Sequence, residues 1–190
     1  MNDYLVDKKD VKYWKLALSL VSVAVLIFID QITKYLIVKK IPLYGQHVII
    51  KDFFSLYYVQ NTGSAFSMFA DRSWGIYFLS GISTIMSVVI VYALYKSLRH
   101  KSFFLKLALI LYLAGAIGNL IDRFRFHYVV DFLRFDFGSF TYPIFNFADI
   151  CAVVATIILI GLVIFRNKVV DQFLSLFELF KGNKKNDTQA

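Results

Sequence analysis

The chain has 190 residues, of which 58% are hydrophobic, and its formal net charge is +8. This hydrophobic share exceeds the roughly 45–50% of a typical soluble domain, and the length accommodates one domain or about four membrane helices with their loops. The basic residues fall mostly between apolar runs, which favours anionic lipid headgroups over nucleic acid as their partner. Cys151 is the only cysteine. This excludes an internal disulfide framework and a multi-cysteine metal site, and we interpret Cys151 as a small buried apolar residue.

Four apolar runs predict membrane spans at about residues 16–38, 74–94, 103–121 and 144–165. The first run continues through a polar motif into further apolar residues, unlike a cleaved signal peptide, so we predict that it is retained. Lys106, near the start of the third run, has a side chain long enough to reach the membrane surface. The sequence therefore predicts a bundle of four transmembrane helices over residues 16–165, preceded by an N-terminal arm of residues 1–15.

Basic residues are unevenly distributed among the segments that flank these spans. The long connections 39–73 and 123–143 carry few lysines and arginines for their length. The other flanks are richer in them: Lys8, Lys9, Lys12, Lys15, Lys96, Arg99, Lys101, Lys106, Arg166 and Lys168. Because positive residues are enriched on the cytoplasmic side, both termini are predicted to be cytoplasmic and the two long connections to face outward.

Two segments outside the spans have patterns of their own. Residues 48–50 and 53–59 are β-branched and aromatic, which predicts short strands that form a small sheet on the outer membrane surface. In the tail, residues 171–180 place four apolar side chains at helical spacing, which predicts an interfacial amphipathic helix. The last ten residues are polar and are predicted to be disordered, so 166–190 is expected to be a cytoplasmic helix and tail.

Ionisable and amide side chains occur at the predicted outer ends of three spans and in the connection between the third and the fourth. They are Asp30, Thr33, Lys34, Asn119, Asp122, Arg123, Asp131, Asn146 and Asp149. Such residues are costly in a membrane and usually functional, and helix packing does not require them to converge at one level. The pattern therefore indicates a functional site near the outer membrane–water boundary.

Simpler interpretations exist for three of these sets. Asp30 and Lys34 are four residues apart and could form only an ion pair on one helix face. Arg123 could be an interfacial anchor. Asp131 could be the outward residue of a short strand. Asp149 is harder to explain in this way, because a carboxylate near the start of a span needs a partner.

Asp131 could be that partner, since two close carboxylates share a proton. In such a pair the ionised member can deprotonate a water while the protonated member binds the scissile carbonyl. The sequence contains no His-Glu-x-x-His and no Gly-x-Ser-x-Gly, which disfavours a zinc protease and a serine nucleophile.

Five segments together resemble lipoprotein signal peptidase, also called signal peptidase II. They are residues 30–34, 61–67, 115–123, 130–132 and 145–149, and they occur in order along a resemblance that covers roughly residues 16–165. Ser64 and Ala114 depart from the commonest residues of the family, and neither has a polar catalytic role.

The resemblance implies an aspartic endopeptidase of the bacterial plasma membrane that cleaves diacylglyceryl-modified prolipoproteins before the lipidated cysteine. It implies Asp131 and Asp149 as the catalytic pair, a small extracytoplasmic β-sheet cradle, and inhibition by globomycin-type cyclic peptides. It also implies substrate-binding or orienting roles for Asp30, Lys34, Asn61, Gly63, Asn119, Arg123 and Asn146. We expect a monomer whose partners are the prolipoprotein and membrane lipids, with no metal, cofactor or nucleic acid.

Two other classes of membrane protein remain as alternatives. A small proton-coupled transporter would place ionisable groups near the bilayer midplane and often shows an internal repeat. A structural subunit would use polar residues only to join helices. Neither accounts for polar residues that gather at one surface.

Overall fold

The computed structural model describes residues 13–63, 74–98 and 102–165. Its elements are α1 (Tyr13–Lys40), β1 (Gln46–Ile50), β2 (Phe54–Asn61), α2 (Gly75–Ser97), α3 (Phe103–Phe126), β3 (Val129–Phe137), β4 (Phe140–Thr141) and α4 (Phe147–Phe165). Most of the predicted N-terminal arm and the whole predicted tail helix lie outside the described residues.

The four helices are each long and apolar enough to cross a membrane. Their outward faces carry large apolar side chains that other parts of the protein do not cover, including Phe28, Tyr77 and Ile157, each more than 60% exposed. Such faces are unfavourable in contact with water and favourable in contact with the acyl chains of lipid. The chain is a multi-pass membrane protein, and the predicted four-helix architecture is confirmed.

The helix ends differ from the predicted ends for local reasons. α3 continues to Phe126, five residues beyond the predicted end, because Asp122 turns inward and is only 1% exposed. His127 then takes a left-handed conformation and ends the helix, with its N–H bonded to the carbonyl of Arg123. α4 begins at Phe147, three residues later than predicted, because Phe145 is still paired with Leu133 of β3.

α3 lies at the centre of the bundle and packs against the other three helices. A core of buried apolar side chains from all four helices includes Val23, Leu94, Leu109 and Leu162.

Near the polar end of the bundle, glycine permits closer contact. A Cβ added at Gly118 would lie 2.7 Å from the Oδ2 atom of Asp30. A Cβ added at Gly115 would lie 2.5 Å from the carbonyl oxygen of Ala148. Small residues at these positions let α1 and α4 approach α3 closely.

The four strands form one antiparallel sheet in the order β1-β2-β3-β4. The two predicted strands are confirmed as β1 and β2, while β3 and β4 form a hairpin that turns at Gly138, whose φ is +64°. Apolar side chains join the sheet to the end of α1: Ile37, Ile41, Tyr58, Val130 and Phe132. The sheet is therefore fixed to the bundle by its own small core.

Candidate active site

The site begins where α4 begins. Asn146 precedes the helix, and its Oδ1 atom accepts a hydrogen bond of 3.0 Å from the backbone N–H of Asp149. In return, the Oδ2 atom of Asp149 accepts one of 3.0 Å from the backbone N–H of Asn146. This reciprocal arrangement is a capping box, which satisfies N–H groups that the first helical turn leaves free. The cap fixes the position of the Asp149 carboxylate at the end of the bundle.

Asp131 reaches the same place from β3. Its side chain is 2% exposed, so the interpretation of Asp131 as an outward strand residue is wrong, although the strand itself is present. Its Oδ2 accepts a hydrogen bond of 2.9 Å from the Nδ2 of Asn61. Val59 is the β2 partner of Asp131, and Asn61 follows two residues later on the same face of the sheet. Burial, followed by the charge of Asp149, raises the pKa of Asp131 to about 7.

Two asparagine side chains connect the carboxylates. The Nδ2 of Asn146 donates to the Oδ1 of Asp131 at 2.6 Å and to the Oδ1 of Asn119 at 3.0 Å. The Nδ2 of Asn119 donates to the Oδ1 of Asp149 at 2.8 Å. Strand β3, helix α3 and the start of α4 are thereby linked in one network, and its two carboxylates interact electrostatically. Asn146 is fully buried.

Lys34 supports this network from α1. Its Nζ lies 2.9 Å from the Oδ2 of Asp30, 2.9 Å from the Oδ2 of Asp122 and 2.9 Å from the Oδ1 of Asn119. Lys34, Asp30 and Asp122 are each at most 3% exposed. The predicted ion pair between Asp30 and Lys34 therefore exists, but it is one part of a larger buried group. We refer to Asp30, Lys34 and Asp122 as the lysine triad.

Each acid of the lysine triad also binds a backbone N–H. The Oδ1 of Asp30 accepts from the N–H of Ala148 at 3.0 Å, within the first turn of α4. The Oδ2 of Asp122 accepts from the N–H of Val130 at 3.1 Å, next to Asp131. The triad therefore holds the backbone beside both candidate catalytic residues.

Two members of the network were not among the predicted site residues. Asp122 belongs to the polar residues that indicate the site, but it lies outside the predicted catalytic pair and has no predicted binding or orienting role. Gln31 was not considered, although its Nε2 lies 3.1 Å from the Oδ2 of Asp30, 3.2 Å from the carbonyl oxygen of Gly118 and 3.0 Å from the Oδ1 of Asp122. An uncharged amide inside an apolar run is the signal that would have found Gln31.

The remaining predicted residues lie at the margin of the network. The buried Gly63 donates its N–H to the Oδ1 of Asn61 at 3.0 Å, which orients that amide toward Asp131. The half-buried Arg123 lines a groove of about 470 Å³ between α2 and α3. Its charge acts on those of Asp149, Asp131 and Asp122, and its Nε has no hydrogen-bond partner among the described residues.

Within the described ranges, no three histidine, cysteine, aspartate or glutamate side chains are grouped so that they could hold a metal ion. The carboxylates of the site are instead bound by amides, a lysine and backbone N–H groups. Together, the bundle and this buried site define a multi-pass membrane protein in which two linked carboxylates lie at one end of the helices.

Comparisons with known proteins agree with this class and narrow it. The sequence profile of signal peptidase (SPase) II matches residues 22–165. A lipoprotein signal peptidase of Caldanaerobacter subterraneus subsp. tengcongensis is 41% identical over 152 residues, which cover 80% of this chain and 99% of the relative. One of Enterococcus faecalis is 45% identical over 134 residues, which cover 70% of this chain and 80% of the relative. The chain therefore belongs to the signal peptidase II family, a family of peptidases.

The fold also matches solved structures. A bacterial membrane enzyme determined at 1.9 Å by the in meso method aligns with a TM-score of 0.69 and 27% identity over 79% of this chain and 94% of that one. Another, determined at 2.3 Å, aligns with a TM-score of 0.68 and 26% identity over 90% of this chain and 94% of that one.

Proposed function

We propose that this protein is an aspartic endopeptidase that removes the signal peptide from diacylglyceryl-modified prolipoproteins, cleaving before the lipidated cysteine. Membership of the signal peptidase II family supports the substrate class. The observation that carries the aspartic mechanism is the connection of Asp131 to Asp149 through the amides of Asn146 and Asn119. One chain supplies both carboxylates and the amides that connect them, so a monomer is sufficient for the proposed activity.

In this mechanism Asp131 holds a proton and Asp149 acts as the base. The raised pKa of Asp131 supports this division, because a pKa of about 7 keeps this carboxyl protonated at pH values at which an ordinary aspartate is ionised. Asp149 would take a proton from a water between the two carboxyls, and that water would attack the scissile carbonyl. Asp131 would donate a hydrogen bond to the carbonyl oxygen, on which negative charge develops. Asp149 would then give that proton to the peptide nitrogen as the C–N bond breaks, so that the amine leaves and no covalent intermediate is required.

The amides position these groups. Asn61 and Asn146 donate to the two oxygens of Asp131, and Asn119 donates to Asp149, so neither carboxyl can rotate without losing a hydrogen bond. In the low-dielectric environment of a membrane boundary, such bonds are stronger and their loss is more costly. Arg123, whose Nε has no hydrogen-bond partner in the described part of the chain, is proposed to bind a carbonyl oxygen of the substrate.

The most direct test uses the purified protein and two forms of one prolipoprotein. We expect the diacylglyceryl-modified precursor to be shortened to a product whose N-terminus is the lipidated cysteine. The same precursor without the lipid should remain intact, and a globomycin-type peptide should stop the reaction. Mass spectrometry of the product identifies the cleaved bond. Cleavage at another position, or equal cleavage of both precursors, would contradict the proposed specificity.

The pH dependence of cleavage should report the titration of Asp131. Its pKa is raised from 3.8 to about 7, so the proton required of the acid is lost as the pH rises through 7. We therefore expect kcat/KM to fall on the alkaline side with a midpoint near pH 7. The hydrogen bond from Asn61 favours the ionised form, so Asn61→Ala should move this midpoint to higher pH.

Gln60→Ala is the matched control for that shift, because the Gln60 amide bonds to the hydroxyl of Tyr58 rather than to Asp131. It should leave the midpoint unchanged. A midpoint that moves to lower pH in Asn61→Ala, or a profile that is flat above pH 6, would exclude Asp131 as the acid.

The orientation of the chain is also part of the proposal: cytoplasmic termini, and a site at the outer face of the plasma membrane. The excess of basic residues around 96–106 supports it. Ser139 is exposed in the turn between β3 and β4. The native thiol of Cys151 is only 3% exposed, so it should not react with a thiol reagent. A cysteine in place of Ser139 should react with an impermeant thiol reagent in intact cells, while one in place of the half-buried Ser102 should react only after lysis. The reverse pattern would invert the topology.

A further inference from the structure

A groove of about 590 Å³ lies between α1 and α3 at the end where both helices begin. It is lined by Trp14, Lys15, Leu18, Phe103, Lys106 and Ile110, among others. Its volume is within the range of roughly 300–1,000 Å³ that is typical of sites for small molecules. Trp14, Leu18 and Phe103 are each more than half exposed, so the groove opens toward the lipid. We refer to it as the α1–α3 groove.

The α1–α3 groove is separate from the candidate active site. Lys15 precedes Asp30 by 15 residues on α1, and Lys106 precedes Asn119 by 13 residues on α3. At a rise of about 1.5 Å per residue, these separations are about 20 Å along the helices. No residue of the α1–α3 groove contributes to the catalytic network.

Two lysines give the α1–α3 groove its charge. Lys15 and Lys106 are both half-buried, and they are close enough for the charge of Lys15 to act on that of Lys106. In the part of the chain that the structure describes, neither has a carboxylate within ion-pair distance. The positive end of the α3 helix dipole lies at the same place, since α3 begins at Phe103. An anionic group between the two lysines would relieve their repulsion.

We propose that the α1–α3 groove binds an anionic phospholipid, with its phosphate between Lys15 and Lys106 and an acyl chain along Leu18 and Ile110. The combination of neighbouring cations with apolar walls that face the bilayer fits a molecule with a charged headgroup and a hydrocarbon tail. A soluble anion would use only the lysines. Basic pockets between helices at the cytoplasmic side of membrane proteins bind anionic headgroups for the same electrostatic reason.

The two tryptophans of the chain allow a direct test, because Trp14 lines the groove and Trp74 lies outside it, directly before the first residue of α2. In a Trp74→Phe background, Trp14 is the only tryptophan. The full chain is placed in phosphatidylcholine nanodiscs that contain a minor fraction of lipid with brominated acyl chains. Brominated phosphatidylglycerol should quench the fluorescence of Trp14 at a lower mole fraction than brominated phosphatidylcholine does. The difference between the two mole fractions should be about fivefold or more. This expectation follows because each lysine near an anionic lipid raises the affinity for that lipid about fivefold.

Lys15→Gln with Lys106→Gln should remove the preference for phosphatidylglycerol without changing the melting temperature appreciably. The matched control is Lys39→Gln with Lys40→Gln, which removes the same charge from exposed lysines at the other end of α1. This control should keep the preference. Equal quenching by both lipids in the parent, or equal loss in both double variants, would overturn the proposal. So would quenching that appears only after residues 166–190 are deleted, because the groove would then be filled by the protein's own tail.

Discussion

Asp131→Asn and Asp149→Asn are each expected to reduce the rate of prolipoprotein cleavage by at least about 10²–10⁴-fold, the usual contribution of general acid–base catalysis. Asparagine can neither accept the proton of the attacking water nor hold the proton of the pair. The double variant should be scarcely slower than either single variant, because residues that act as a unit are not additive. Initial rates with a lipid-modified precursor measure the effect. A rate near that of the parent in either single variant would exclude the aspartic mechanism.

The hydrogen bonds of the site show that these substitutions also have a structural cost. Both oxygens of Asp131 accept from amide Nδ2 atoms, of Asn61 and Asn146, so an asparagine there directs its own NH₂ group at a donor. An unsatisfied buried group of this kind costs about 1–3 kcal/mol. The melting temperature and globomycin binding should therefore be measured for each variant, so that a lost base is distinguished from a disrupted site.

Asp136→Asn is a better control than Asp122→Asn for this experiment. Asp136 lies on the same strand as Asp131, but it is partly exposed and bonded to Arg134 and Thr141, away from the network. Asp122 lies outside the proposed catalytic pair, yet it is buried against Lys34 and the N–H of Val130. We expect the Asp136→Asn variant to cleave at nearly the parental rate. The cleavage rate of Asp122→Asn should lie between that of Asp136→Asn and those of Asp131→Asn and Asp149→Asn.

Exchanging the charges of α1, with Asp30→Lys and Lys34→Asp together, is expected to be as damaging as either single change. A simple ion pair would survive the exchange, but each residue of this pair has other partners. Asp30 accepts from the N–H of Ala148, and Lys34 binds both Asp122 and Asn119. Breaking a buried pair leaves an uncompensated charge that costs about 3–5 kcal/mol. Thermal unfolding in detergent and cleavage kinetics should both show the loss.

Arg134→Asp with Asp136→Arg provides the matched exchange at a more exposed pair, whose side chains are 29% and 21% accessible. Pairs of this type contribute little to stability because water screens their charges, so this exchange should be tolerated. If the exchange of Asp30 and Lys34 were tolerated equally well, the lysine triad would be only an ion pair on one helix face.

The sequence predicted the parts of this fold that depend on composition along one segment. Apolar runs located all four helices, because a span requires about 20 residues without many charges. The helix ends were less accurate for the same reason. α3 continues through Asn119, Asp122 and Arg123, whose polarity suggests an end when hydropathy alone is considered. The side chains of Asn119 and Asp122 bind partners on other elements, which a pattern along one helix does not show.

The candidate site was predicted as a set of residues but not as a network. Polar residues at the ends of three spans indicated that Asp30, Asn119 and Asn146 converge, and the structure confirms that they do. The pairing of Asn61 with Asp131 depends on the register between β2 and β3, and the sequence indicates β3 only as an alternative interpretation of Asp131, not as a member of the predicted sheet. The sequence of β3 shows little alternation between apolar and polar residues, because the residues near the start of the strand are buried on both faces.

The position of Asp149 as the third residue of α4 has a consequence for the membrane in which the protein works. The described part of α4 has 19 residues and rises about 28 Å, close to the roughly 30 Å of a hydrocarbon core. α1, with 28 residues, has length to spare and can adapt to a thicker bilayer by tilting. The apolar run of α4 has no such reserve, because Arg166, Asn167 and Lys168 follow Phe165 in the sequence. Hydrophobic mismatch in a thicker bilayer would draw the capped end of α4, and the candidate catalytic pair with it, below the headgroups. Bilayer thickness is therefore a physical variable that acts directly on the depth of this site.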